Sequence, residues 1–214
     1  MINSQKIIFS TAYFPPVQYF SKVVKISELY IEKYENFIKQ TYRNRCTILS
    51  ANGIQSLSIP IIKENKPKTL IKDTRIEYVT NWQKIHFKSI ESAYKNSPFY
   101  DFLIDDLIIY FEKKYNFLFD YNFEIFNTIL QIIDIEIDIK FNEAFILIDD
   151  SDYEDLRYKF TPKKDFDSDN NFNILQYNQV FSEKYKFVPD LSILDVIFNL
   201  GGETKTYLEK CYKN

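Results

Sequence analysis

The stretch Lys6–Glu32 reads KIIFSTAYFPPVQYFSKVVKISELYIE. Its opening run, Lys6–Phe9, is apolar and too short for a helix, which predicts a buried strand. Pro15-Pro16 then punctuates the chain. Val17–Lys25 follows with Val17, Phe20, Val23 and Val24 on one side, the spacing of a short amphipathic helix. Leu29–Glu32 reads as a second strand. A strand–loop–helix–strand unit opens an α/β sheet, and the fold class predicted is α/β of the mixed α+β kind. The connecting loop, Ser10–Pro16, falls at the carboxyl end of the first strand, where open α/β sheets bind ligands. It carries no glycine-rich phosphate cradle. Its prolines fix φ, so Tyr13 and Tyr19 can be held rigidly. Two readings follow: a stiff pocket wall offering Tyr13, Gln18 and Tyr19, or a proline-braced turn covered by core rings.

Working outward, Asn44–Leu49 and Leu57–Ile62 predict a β-hairpin around Asn52-Gly53, a dipeptide suited to positive φ in tight turns. Pro60 cannot donate to a ladder, so the second arm is an edge strand. KENKPK (Lys63–Lys68) is a polar loop. Asn81 is placed to cap a helix from Trp82 to Tyr94, stopped by Asn96-Ser97-Pro98. Helical patterns run through 101–118 and 121–133, and IEIDIKF (Ile135–Phe141) switches to the two-residue period of a strand. TPKKDFDSDNN (Thr161–Asn171) is a loop. A last helix is predicted over Leu191–Leu200, ended by Gly201-Gly202. Ser192 and Asp195 stand in capping-box spacing. Asp101, Asp105 and Asp106 fit helix N-terminal acids better than a metal site. A β-hairpin, a mostly helical middle and a C-terminal helix thus follow the opening unit, without internal repeats, as one domain spanning 1–214.

The chain has 214 residues and a net charge of −3. That length buries a sizeable core without disulfides. Cys46 and Cys211 are far apart in sequence and, with a single histidine, give no zinc-ligand spacing. No charged leader with an apolar core is seen, and no window approaches the length of an apolar spanning helix. A reduced, cytoplasmic protein is expected. Residues 1–50 hold seven Lys/Arg against three Glu, whereas residues 101–156 hold fifteen Asp/Glu against three Lys. This asymmetry is too mild for nucleic-acid binding and directs any small anionic ligand to the N-terminal part. The acidic part reads as a solvated face.

Three groups could carry chemistry. KQTYRNR (Lys39–Arg45) is basic; if Arg43 onward is extended, Arg43 and Arg45 share one face, able to clamp a phosphate or carboxylate, to lie solvated, or to pair with the acidic C-terminal part. Glu32 and Glu35, just before it, read as exposed strand-end carboxylates. His86 lies i+4 from Trp82 and i−4 from Ile90, on the inward stripe of its helix. It is therefore either a satisfied core imidazole or a proton-transfer group near neutrality.

The stretches AYFPPVQYF, KQTYRNRC, ANGIQSLSIPI, the Trp82-x-x-x-His86 helix, YNQVF and FVPDLSILDVIFNLGG together resemble the WbqC-like protein family. The family's opening motif more often has Gln-Pro before its Tyr and a Pro-Trp-x-Gly-Tyr-Phe core; here Thr11-Ala12 precede Tyr13, and the Trp and Gly are missing. The resemblance implies a bacterial cytoplasmic protein whose relatives accompany O-antigen and other surface-polysaccharide genes. It implies Asn44, Arg45, Trp82 and His86 in one site, and a transferase, with glycine transfer to a sugar one suggested chemistry. On that reading Arg43 or Arg45 neutralises a small anionic metabolite or activated sugar, the rings of Tyr13, Tyr19 and Trp82 pack against it, and His86 is the base. The cofactor is left unspecified and no metal is expected. The competing readings are a non-catalytic glycan- or partner-binding protein and an enzyme of nucleotidyltransferase type. The first unit is similar in architecture to the latter, but its His-x-Gly-His loop is absent here.

Overall fold

A computed structural model of the chain describes residues 6–63, 68–147, 153–163 and 168–213. The opening unit is β1 (Lys6–Ser10), α1 (Val17–Val23) and β2 (Glu28–Glu32). β1 runs one residue beyond its apolar core, so Ser10 closes the strand. A parallel sheet of order β5-β2-β1-β6 is built on this unit, with β5 at Asp138–Phe141 and β6 at Tyr153–Asp155. All its pairings are parallel, with Ile8 opposite Tyr30 on one side and Asp155 on the other. β5 is shorter than its alternating pattern because Asp134 takes a positive φ of 54° and Ile135 bonds back to Leu130, which leaves the first residues in a turn.

The hairpin is formed by β3 (Arg45–Ser50) and β4 (Gly53–Ser58), a separate antiparallel pair. The turn residues are Ala51 and Asn52, and Gly53, at φ 103°, pairs with Ser50. Glycine tolerates that φ at no steric cost, so β4 begins at once rather than at Leu57. Three helices follow: α2 (Trp82–Tyr94), α3 (Tyr100–Glu112) and α4 (Leu118–Ile132). α2 starts at the expected residue, but the Asn81 side chain makes no cap bond. The acids of α3, Asp101, Asp105 and Asp106, are exposed, as a solvated face requires.

A short α5 (Ser182–Tyr185) precedes α6 (Ile193–Leu200) and α7 (Thr204–Cys211). Ser192 caps α6 through its hydroxyl, which accepts from the Leu194 N–H at 3.3 Å. Asp195 does not reach back to complete a capping box. It turns into the core instead, accepting from the Tyr177 hydroxyl at 2.5 Å and Gln179 at 2.9 Å. Gly201 ends α6 at φ 53°, and a Cβ there would lie 2.5 Å from the Phe99 ring. Cys46 and Cys211 are both free and buried. One continuous apolar core joins α1 and the sheet to the helices, with Phe20 stacked on Phe126 of α4.

The loop 11–16 is buried throughout. It is tied at Tyr13 N–H to the Tyr42 carbonyl (2.8 Å), and its Pro15 carbonyl accepts from Ile193 (2.9 Å). Ser192 Oγ donates to the Phe14 carbonyl at 2.9 Å. Phe14 is held at φ 39°, a conformation costly for a bulky residue and sustained only by such surroundings.

Candidate functional site

From β1 the chain crosses to β2 and on to β5, whereas β6 lies on the other side of β1. The β1/β6 border is thus a topological switch point, and the crevice outside its carboxyl ends is where such sheets take ligands. Ser10 at the end of β1, Thr11 and Ala12 after it, and Leu156 and Arg157 after β6 line a cleft there, with Tyr19 and Arg43 beside them. Its volume is ≈ 10 Å³, about one water.

Ser10 Oγ is the hub of this cleft. It sits 2.7 Å from the Arg157 carbonyl, 2.6 Å from Arg43 Nη2 and 3.2 Å from Glu35 Oε2. Arg43 grips Glu35 with both arms of its fork, Nε donating to Oε1 at 2.8 Å. Arg157 does the same to Asp155 and also donates to Glu32 at 2.8 Å. Asn142 and the N–H groups of Tyr34 and Ile146 also donate to Glu32. The Tyr19 hydroxyl donates to the Ser10 carbonyl at 3.1 Å.

Glu32 and Glu35 are 0% exposed, which corrects the expectation of solvated strand-end carboxylates. They are buried because each has an arginine to satisfy it. Burial drives the Glu35 carboxyl above its usual range, and Arg43 and Ser10 oppose that rise. Two buried guanidinium groups and three carboxylates thus share the carboxyl ends of three parallel strands. Such a cluster is weak as a stabiliser, because desolvation offsets most of the pairing.

The expected site residues separate into two sets. Arg43 and Tyr19 belong to the cleft. Tyr13, Trp82 and His86 form a second layer behind it. The Tyr13 hydroxyl is 2.9 Å from His86 Nδ1. His86 is 4% exposed, and burial lowers its pKa to about 4. Trp82 presents no open face: it lies edge-on to His86 and Tyr121 and tilted against Tyr78. Arg43 precedes β3 and turns inward, so it shares no strand face with Arg45. Arg45 is half-buried and donates to Ser58 Oγ at 3.0 Å. Asn44 donates to the Ile59 carbonyl, while its own Oδ1, Asn122 Oδ1 and Trp82 Nε1 have no partner among the described residues.

Arg157, Asp155 and the hub role of Ser10 escaped the sequence reading, and Glu32 was read as exposed. An isolated arginine in the acidic run DYEDLRYKF was the available signal. Among the described residues no group of three or more His, Cys, Asp or Glu is placed to hold a metal ion.

The sequence matches the model of the WbqC-like protein family over residues 11–159. The chain belongs to the WbqC-like family. The matched span contains the cleft residues from Thr11 through Arg157 and the layer of Tyr13, Trp82 and His86, and it leaves out Ser10 and Phe160. This WbqC-like chain is also similar to the uncharacterized protein Rv1507c of Mycobacterium tuberculosis (strain ATCC 25618 / H37Rv), 24% identical over 234 aligned positions that cover 95% of this chain and 97% of that one. No solved structure matches it. Among the described residues, no helix is long and apolar enough to cross a membrane.

Proposed function

We propose that this WbqC-like protein is a transferase of surface-polysaccharide assembly, acting on an activated sugar or acyl donor at the β1/β6 cleft. The observation that carries this reading is the buried ionic cluster at the sheet's switch point, an arrangement that contributes little stability and stands where α/β sheets bind substrates. The resemblance to a polysaccharide-associated family supplies the substrate class.

In this reading Arg43 neutralises the donor's phosphate or carboxylate, and Tyr19 forms a wall. The acceptor's hydroxyl or amine attacks the donor carbon; the new bond forms as the leaving group departs with its electron pair. The acceptor's proton passes to Ser10 Oγ, whose own proton goes to Glu35. Burial raises the Glu35 carboxyl, which strengthens it as a base, and the Ser10 hydroxyl links it to the cleft. His86 has a proton affinity too low for that role. It positions Tyr13, whose backbone is bonded to Tyr42 at the cleft rim. For a sugar-sized ligand to enter, the Tyr42 and Phe160 side chains that line the cleft must move outward.

The test is a thermal-shift screen of nucleotide sugars and acyl donors, followed by turnover with the best hit. Ser10→Ala is expected to abolish turnover while keeping most of the donor affinity. A donor that binds with no turnover in any acceptor mixture would favour a purely binding role, and no stabilisation by any donor would remove the reading.

A further inference from the structure

A second hollow lies on the other side of α2, independent of the cleft. It runs between the β3–β4 turn and the outward face of the helix and has a volume of ≈ 530 Å³. That is the size of a small-ligand pocket. Asn52 and Gln55 come from the hairpin, and Lys84, Lys88 and Ser92 from α2. Gln55 Nε2 donates to Ser89 Oγ at 3.0 Å and ties the two walls together.

The charge of this groove runs against that of the chain. No carboxylate lines it, although the protein carries a net −3. Lys84 and Lys88 are four residues apart on one helix, so their ammonium groups rise from one face a single turn apart. Lys84 has neither an ion pair nor a hydrogen bond to another described residue. Lys88 bonds Glu91, an exposed i,i+3 pair of the weak kind. Lys184 brings a third ammonium to the rim, where it donates to the Ala51 carbonyl at 2.8 Å. Between the two helix lysines Ile85 lies 59% exposed, an apolar spot on an otherwise polar floor.

Adjacent ammonium groups favour a compact dianion, the hydroxyls and carboxamides can donate to its oxygens, and the apolar spot accepts a ring edge. We infer that this groove binds the diphosphate of a nucleoside diphosphate or nucleotide sugar. The two helix lysines, a single turn apart, match the two phosphates of one ester.

Isothermal titration of the full chain with inorganic pyrophosphate, and in parallel with a uridine diphosphate sugar, tests the inference. Both probes are expected to bind, the sugar nucleotide more tightly because the rest of the molecule also finds a surface. The double variant Lys84→Gln/Lys88→Gln, altered only at exposed positions, should lose roughly tenfold or more in affinity for both, whereas Lys205→Gln, a single lysine neutralised elsewhere, should lose none. Absence of binding at millimolar pyrophosphate, affinity unchanged in the double variant, or an equal loss in Lys205→Gln would each overturn it. Amide shifts on adding pyrophosphate should move at the β3–β4 turn and the outer face of α2 and not at Ser10–Ala12 or Leu156–Arg157, which separates failure here from failure of the cleft.

Discussion

Replacing Arg43 by Met removes the partner of a carboxylate that is 0% exposed, and the consequence can be worked out from the cleft. Breaking a buried pair by deleting one member costs about 3–5 kcal/mol, because the remaining charge is left uncompensated. For a chain of this length that corresponds to a drop of roughly 6–20 °C in Tm. The loss must also depend on pH. Glu35 is already raised by burial, and Arg43 is the largest influence holding it down. Without Arg43 the folded-state pKa climbs further, while the unfolded value stays in the ordinary glutamate range. Folding then takes up a proton, so the variant's stability is retained at low pH and falls as pH rises toward the folded-state pKa. Urea unfolding of Arg43→Met at pH 5 and pH 8 should therefore show a larger deficit against wild type at pH 8. Adding Glu35→Leu should restore at least half of the loss, since an apolar pair of similar volume is tolerated where a lone charge is not. A deficit below about 1 kcal/mol, equal at both pH values, would show that the pair is hydrated and refute the reasoning.

His86 is the chain's single histidine, so its ring resonances are unambiguous. They should report a neutral imidazole from pH 8 down to about 5, given a pKa lowered to about 4, and titration near 6.5 would contradict the sealed second layer. Asp195, raised by burial to about 6, takes up a proton on folding, so it favours the fold at low pH and ceases to as pH rises through 6. Asp195→Asn should flatten the stability profile between pH 4 and 6, a change on the order of 3 kcal/mol, and an unaltered slope in urea titrations would count against it. Gly201→Ala meets both a positive φ and the Phe99 ring, and should cost about 1–3 kcal/mol by chemical denaturation. A neutral result there would mean that Phe99 moves freely.

The opening unit was legible because an apolar run, two prolines and a helical stripe are local signals. The inward direction of His86 followed from its i+4 spacing to Trp82, and the capping role of Ser192 from its place before an apolar run. The charged core was not legible. Glu32 is buried because Arg157, 125 residues later, reaches it, and no local pattern announces such a partner. β6 is three residues of mixed polarity that become a strand only by pairing with β1. The same non-local folding covers both faces of Trp82, which spacing alone marks only as inward. α7 was findable: Thr204, Tyr207, Leu208 and Cys211 recur at helical spacing, and all four are buried. Arg43 and Arg45 were expected on one strand face, but β3 begins only at Arg45.

The claim on which the account turns is that substrate is taken at the carboxyl ends of β1 and β6. Backbone amide shifts of the labelled chain, followed while the best-stabilising donor is added, test it directly. Saturable changes centred on Ser10–Ala12, Arg43 and Leu156–Arg157 are expected. Changes confined to the hairpin turn and the outer face of α2, with the β1/β6 amides unmoved, would contradict it.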